Sequence, residues 1–350
     1  MSLTNKVVAG CVSCLILVTS CYDRQTSFEE KTTVTINERE RSVDYRALSV
    51  PEEGGMRFIR FTSEDEKVFG PSVRRRKGVL SWYTAPFIAV SPSGDKVAYI
   101  GSKDDKNNVY IKSLVGGKST IQRTFRDKVL GVSFSKDGEK IAFVDVVDGN
   151  SDIFQINATQ GAAVQQIAKS PSGETSPTYG YGEELFYAKS EYASTIEKYR
   201  YYIWSYNLKT GLNTQYSEGH TPCLSKNDEM VYITRNDKEL GFGEIWSIDL
   251  KTGQEIRILD DSERGFSTPQ ISPDGKKLLC TGSTLISRNR VENLDVYIVN
   301  TDGTGLTQLT FHPGDDVSAV WGPNGDKIYF LSQRGNEKGA YGVWMIDYKN

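Results

Sequence analysis

Short apolar runs recur at a regular pace from residue 82 onward. Six of them, at 97–100, 141–144, 185–188, 230–233, 278–281 and 328–331, are each followed by a second run, at 109–111, 153–156, 203–206, 245–248, 296–299 and 343–346. Both sets are dominated by Val, Ile, Tyr, Trp and Phe, the residues of β-strands. Strict apolar–polar alternation would mean one wetted face, whereas continuous runs predict sheets covered on both faces. No sustained 3.6-residue periodicity accompanies them, which excludes a helical solenoid.

Each first run follows a polar turn. Its marker residue falls at Gly94, Gly138, Gly182, Asp228, Gly275 and Gly325, at intervals of 44, 44, 46, 47 and 50 residues. Self-similarity at this period predicts a propeller or solenoid. Pro92, Pro273 and Pro323 preset φ in the turn, and the glycine supplies a positive φ. Asp228 stands in for glycine, as Asp tolerates the left-handed region. Lys136 replaces the proline, and the stretch 179–183 has lost the Pro-Asp pair.

The fullest copy, residues 266–310, predicts one four-stranded antiparallel sheet: a strand at 269–271, the turn Ser272-Pro273-Asp274-Gly275, strands at 277–281 and 296–300, an Asp302-Gly303 turn and a strand ending at Thr310. The sixth copy has three strands, and residues 56–62 look like the missing fourth. The predicted fold is therefore all-β: a six-bladed β-propeller of four-stranded antiparallel blades, with the last blade closed by an N-terminal strand. An open ring would expose sheet edges.

The Ser-Pro-Asp-Gly-Lys run at 272–276, with Gln308-Leu309-Thr310, resembles the TolB-type propeller repeat (PD40, WD40-like), as does 310–332. The resemblance spans 56–350 and implies six four-stranded blades. It is specific for the repeat and not for function, since such blades occur in periplasmic TolB, in propeller-bearing peptidases and in oligogalacturonate lyases. TolB carries an α/β domain before its propeller, whereas here a 35-residue polar stretch, 21–55, is read as a tether. The peptidases need a Gly-x-Ser-x-Gly elbow, which this sequence lacks.

Residues 1–20 read as a lipoprotein signal peptide: Lys6, an uncharged and mostly apolar run at 7–18, then Val18-Thr19-Ser20-Cys21. The run is shorter than the ~20 apolar residues of a spanning helix. Val-Thr-Ser-Cys resembles a bacterial lipobox and makes Cys21 the lipid anchor; secretion without a lipid is the alternative. Tyr22 after the cysteine implies, by the sorting rule of such lipoproteins, the outer membrane. The expected location is thus the cell envelope, with membrane contact through the lipid anchor only. Cys223 and Cys280 lie in apolar strand patterns and are expected as buried thiols, although an exported protein also permits a disulfide.

The chain has 42 Lys and Arg against 45 Asp and Glu, a net charge of −3. No basic excess favours nucleic acid, and the Arg74–Lys77 cluster reads as a solvated loop. Both histidines, His220 and His312, precede the first strand of a repeat. In such propellers the loops between blades share a face with the second-to-third-strand loops, around the channel. That brings His220, His312, Asp315, Asp316, Tyr83 and Arg264 toward one funnel. The longest loops there, 189–202 and 282–293, carry Tyr192, Tyr199, Arg288 and Arg290. Tyr and Arg anchor binding surfaces; supporting blade junctions is the plainer role for all of these residues. Two histidines with no companion ligands predict no metal site. No cofactor is expected, and the chain is expected to be monomeric. The expected role is a non-catalytic scaffold binding an envelope protein or ligand. The alternative is a glycan-active propeller, a polysaccharide lyase or carbohydrate binder.

Overall fold

The computed structural model describes residues 52–53, 56–63, 65–70, 74–76, 79–81, 86–115, 119–159, 163–193, 198–236, 243–261, 264–287, 290–335 and 340–348. Six antiparallel sheets follow one another along the chain. Their first strands are Ile88–Val90, Val129–Phe134, Glu174–Tyr179, His220–Leu224, Arg264–Ile271 and Asp316–Trp321. Each of these inner strands contacts the next, and the sixth returns to the first, so the ring is a six-bladed propeller.

The core sits between blades, which accounts for the unbroken apolar runs. Leu278 and Cys280 pack toward blade four, beside Tyr232 and Ile245, while Leu279 between them packs toward blade six, beside Ile328 and Phe330. Blades three and four meet in the same way through Ala188, Ile203, Val231 and Ile233. Each Leu, Ile, Val or Phe among them contributes about 1.5–3 kcal/mol by leaving water.

Every inner strand from blade two onward carries a left-handed residue: Gly131, Ser176, Thr221, Thr268 and Ser318, with φ of 52–60°. Pairing to the second strand shifts register there. A non-glycine residue in this region costs about 1–2 kcal/mol. Bonds between blades offset the cost. Thr268 N donates to Thr234 Oγ1 of blade four at 3.1 Å, and Ser318 N donates to Thr281 Oγ1 of blade five at 3.2 Å.

The ring is closed by the N-terminal strand Met56–Arg60, which pairs antiparallel with Gly342–Asp347 in the register Phe58↔Ile346 and Arg60↔Trp344. Glu52–Glu53, within the stretch read as tether, adds a fifth strand outside it. The chain then straps across to blade one. Glu66 accepts from Lys112 Nζ at 2.7 Å and Thr120 Oγ1 at 2.6 Å, and Val68 bridges Gly101 of blade one and Tyr341 of blade six.

The turns between first and second strands touch around one end of the channel. A Cβ on Gly138 would meet Pro92, one on Gly325 would meet Pro273, and one on Gly94 would lie 2.9 Å from Pro323 Cγ. Gly94, Gly138, Asp228, Gly275 and Gly325 have φ of 54–75°. Gly182 departs from the prediction and is not left-handed. Its turn is held instead by Asp228 of blade four, whose Oδ2 accepts from Tyr181 N and Gly182 N at 2.6 and 2.7 Å.

Three other readings are corrected. In the stretch 189–202 the described residues are strand, because Glu184–Ala193 and Lys198–Asn207 stay paired out to Ala193↔Lys198. The described residues of 282–293 likewise continue the strands Lys277–Ser287 and Arg290–Asn300. Tyr192, Tyr199, Tyr201 and Tyr202 in the first segment and Leu285, Ile286 and Val291 in the second favour strand, and extending the hairpin satisfies the backbone groups. Arg74–Arg76 pairs with Val79–Ser81 as a small hairpin rather than a loop. Cys223 and Cys280 are buried free thiols.

Candidate functional site

An inner strand runs from the inter-blade loop toward its turn, and the second strand runs back. Inter-blade loops and second-to-third-strand hairpins therefore share one end of the channel, opposite the ring of turns. The hairpins of blades three and five are the longest, at ten and eleven residues per strand. They flank blade four.

The sequence-predicted residues fall into two groups on this face. In the first, Tyr192 lies near the tip of the blade-three hairpin, 57% exposed and paired in register with Tyr199. Two residues further along, Tyr201 sets its ring edge against His220 of blade four, with centroids 6.0 Å apart. His220 is buried and lies 3.4 Å from Asn236 Oδ1. Burial pushes its pKa down to about 4, with the Asn236 contact opposing.

The second group lies between blades five and six. His312 is fully buried, and its Nδ1 accepts from Gly314 N at 3.0 Å, which places the ring proton on Nε2. Burial lowers its pKa to about 4; Asp316 opposes and Arg334 reinforces the shift. Asp315 accepts from Leu294 N at 3.1 Å and from Tyr341 OH at 3.3 Å, tying blade five to blade six. Asp316, also fully buried, accepts from Arg334 Nη2 at 2.6 Å. Arg264, at the start of the blade-five inner strand, pairs with Asp261 at 3.1 Å. Cys21, Tyr83 and Arg288 lie outside the described residues, as do the signal peptide and most of the tether.

His220, His312 and Asp316 are thus turned inward and engaged within the ring, where they support the mouth of the channel. Four aromatic side chains on this face are exposed: Phe125 in the loop between blades one and two, Phe311 between blades five and six, and Tyr192 and Tyr201, by 82, 55, 57 and 37%. Neither phenylalanine had a signal in the sequence, since a single aromatic in a polar loop has no pattern. Arg334 was missed for the same reason, and so was a carboxyl pair, Glu174 and Asp152, buried between blades two and three. Among the described residues, no group of three or more His, Cys, Asp or Glu could hold a metal ion, and no helix is long and apolar enough to cross a membrane.

Residues 79–281 match the family model of the TolB β-propeller domain, PD40. A curated relative, the uncharacterized peptidase YuxL of Bacillus subtilis (strain 168), is 25% identical over 190 residues, 45% of this chain and 29% of the relative. The chain thus spans under a third of the length of the curated relative it matches. Among solved structures, a putative TolB from Agrobacterium tumefaciens superposes with a TM-score of 0.53 at 18% identity, covering 76% of this chain and 90% of that one. An oligogalacturonate lyase from Vibrio parahaemolyticus gives 0.56 at 12% identity, covering 85% and 94%. At these identities the likeness is one of fold.

Proposed function

The chain belongs to the PD40 family of TolB β-propellers, and from that premise we propose that it is a non-catalytic binding scaffold of the cell envelope, held to the membrane through a lipid on Cys21. The loop-side mouth of the channel engages a protein partner. The observation that carries this reading is the exposed aromatic set Phe125, Tyr192, Tyr201 and Phe311, gathered on the face where the His and Asp side chains are turned inward. Exposed aromatics on a rigid rim serve as binding anchors. Buried imidazoles with depressed pKa values are poor general bases for an incoming substrate.

The test is capture of envelope proteins by full-length protein released from membranes. The wild type retains a discrete partner, and the Tyr192→Ser, Phe311→Ser double variant loses it while melting at the same temperature. Equal capture by both proteins would move the site elsewhere.

The same tyrosines favour one second reading, since aromatic rings also stack on sugars: a carbohydrate-binding or polysaccharide-cleaving propeller. Unsaturated products from an acidic polysaccharide incubated with the wild type would replace the scaffold reading with this one.

A further inference from the structure

We propose that Glu174 and Asp152 share a proton across the junction of blades two and three, forming a pH-sensitive latch at the mouth of the channel that holds while the proton is present and loosens when it leaves.

Glu174 opens the inner strand of blade three and Asp152 lies on the third strand of blade two, at 1 and 4% exposure. Both oxygens of Asp152 already accept from amides: Oδ1 from Asn150 Nδ2 at 2.7 Å and Oδ2 from Gln166 Nε2 at 2.9 Å. Glu174 Oε1 accepts from the Ser170 hydroxyl. Its Oε2 is buried with no hydrogen-bond partner, while Asn150 Nδ2, which donates to Asp152, donates also to Ser170 O and so draws the two carboxyls into one network. Two carboxylates are both acceptors, so contact between them needs a proton, and Glu174 Oε2 is the oxygen placed to carry it.

Of the charged groups around the pair, Lys189 stands opposite Glu174 in the strand pairing and its charge opposes the proton, although its ammonium lies 4.7 Å over the ring of Trp204. Arg126 is spent on Asp145, at 3.4 Å, and Asp145 faces Asp152 across its own hairpin as a third buried acid. Tyr187, beside Glu174, is held neutral by burial. The contrast with blade six is direct. There the first inner-strand residue is also an acid, Asp316, and Arg334 neutralises it at 2.6 Å. Blade three has a proton where blade six has a guanidinium.

Burial raises the Glu174 pKa to about 7; the Ser170 hydroxyl works against the shift and the Asp152 charge adds to it. Deprotonation leaves two buried anions in contact. The cheapest relief moves the 169–174 segment toward water. Asn150 Nδ2 to Ser170 O at 2.9 Å, Gly173 N to Ser190 Oγ at 3.0 Å and Ser190 N to Gly173 O at 2.8 Å hold that segment. This latch does not depend on what occupies the mouth.

Hydrogen exchange of the full chain at pH 6 and pH 8.5, corrected for intrinsic rates, tests it. Amides of 169–175 lose protection by about tenfold at the higher pH, a 1.4 kcal/mol change, while the blade-five strands do not. Glu174→Gln, which donates an amide N–H to Asp152 at any pH, abolishes the difference. If that variant does not fold, Asp152→Asn makes the same comparison with the donor on the other side. Unchanged protection in the wild type, or the same loss in a folded variant, overturns the proposal.

Discussion

The guanidinium of Arg334 lies 4.0 Å from the ring of Phe58 in the N-terminal closing strand, and beside it Arg60 Nη1 donates to Gly335 O at 3.2 Å. Phe58 belongs to the closing strand, and Arg334 neutralises Asp316 at the mouth. One side chain therefore couples ring closure to the channel. Arg334→Ala strands Asp316 as a buried charge and should cost about 3–5 kcal/mol in urea denaturation. Arg334→Met combined with Asp316→Leu should recover most of that loss.

The contacting turns predict a difference between two glycines at equivalent positions. Gly94 and Gly275 have φ of 71 and 74°, but a Cβ would meet Pro323 at the first and nothing within 4 Å at the second. Both alanine variants bear the left-handed cost of about 1–2 kcal/mol. Gly94→Ala adds an overpacking cost of about 1–3 kcal/mol. Equal midpoints for the two variants would show that the turn of blade six does not press on blade one.

Thr281 Oγ1 accepts from Ser318 N at 3.2 Å and lies 3.0 Å from Thr268 Oγ1. Thr281→Val keeps the shape and removes the acceptor, leaving a buried N–H at a cost of about 1–3 kcal/mol. Thr281→Ser retains the bond and should melt close to the wild type in calorimetry.

How much of this was legible can be seen from single residues. Leu278, Leu279 and Cys280 announced a sheet packed on both faces, and residues 56–62 announced the closing strand, because backbone pairing and burial leave local patterns. The turn of blade three was misjudged because Gly182 looked like its counterparts while its support, Asp228, sits 46 residues away. Arg334 and Glu174 stayed hidden for a related reason. What each means depends on the partner across a blade junction, Phe58 and Asp152, which no local pattern announces.

Acid should destabilise the ring through its histidines. His220 and His312 fall from the usual 6.5 to about 4 in the folded chain. The unfolded chain takes up their protons first, so stability is intact above pH 6.5 and is lost as pH falls toward 4. The shift is worth about 3 kcal/mol for each residue. Glu174, raised from 4.5 to about 7, acts in the opposite direction and removes stability as pH rises through that range. Melting temperature should therefore peak near neutral-to-mildly acidic pH. His312→Gln should flatten the acid limb, provided it folds, and an unchanged acid limb would assign it to other groups.

The closing strand also decides how the molecule bears load. Antiparallel pairing sets the start of Met56–Arg60 beside the end of Gly342–Asp347, so tension between those two ends meets the rungs one at a time, Phe58↔Ile346 first and Arg60↔Trp344 last. Behind them the strap bond from Lys112 to Glu66 ties the closing segment to blade one.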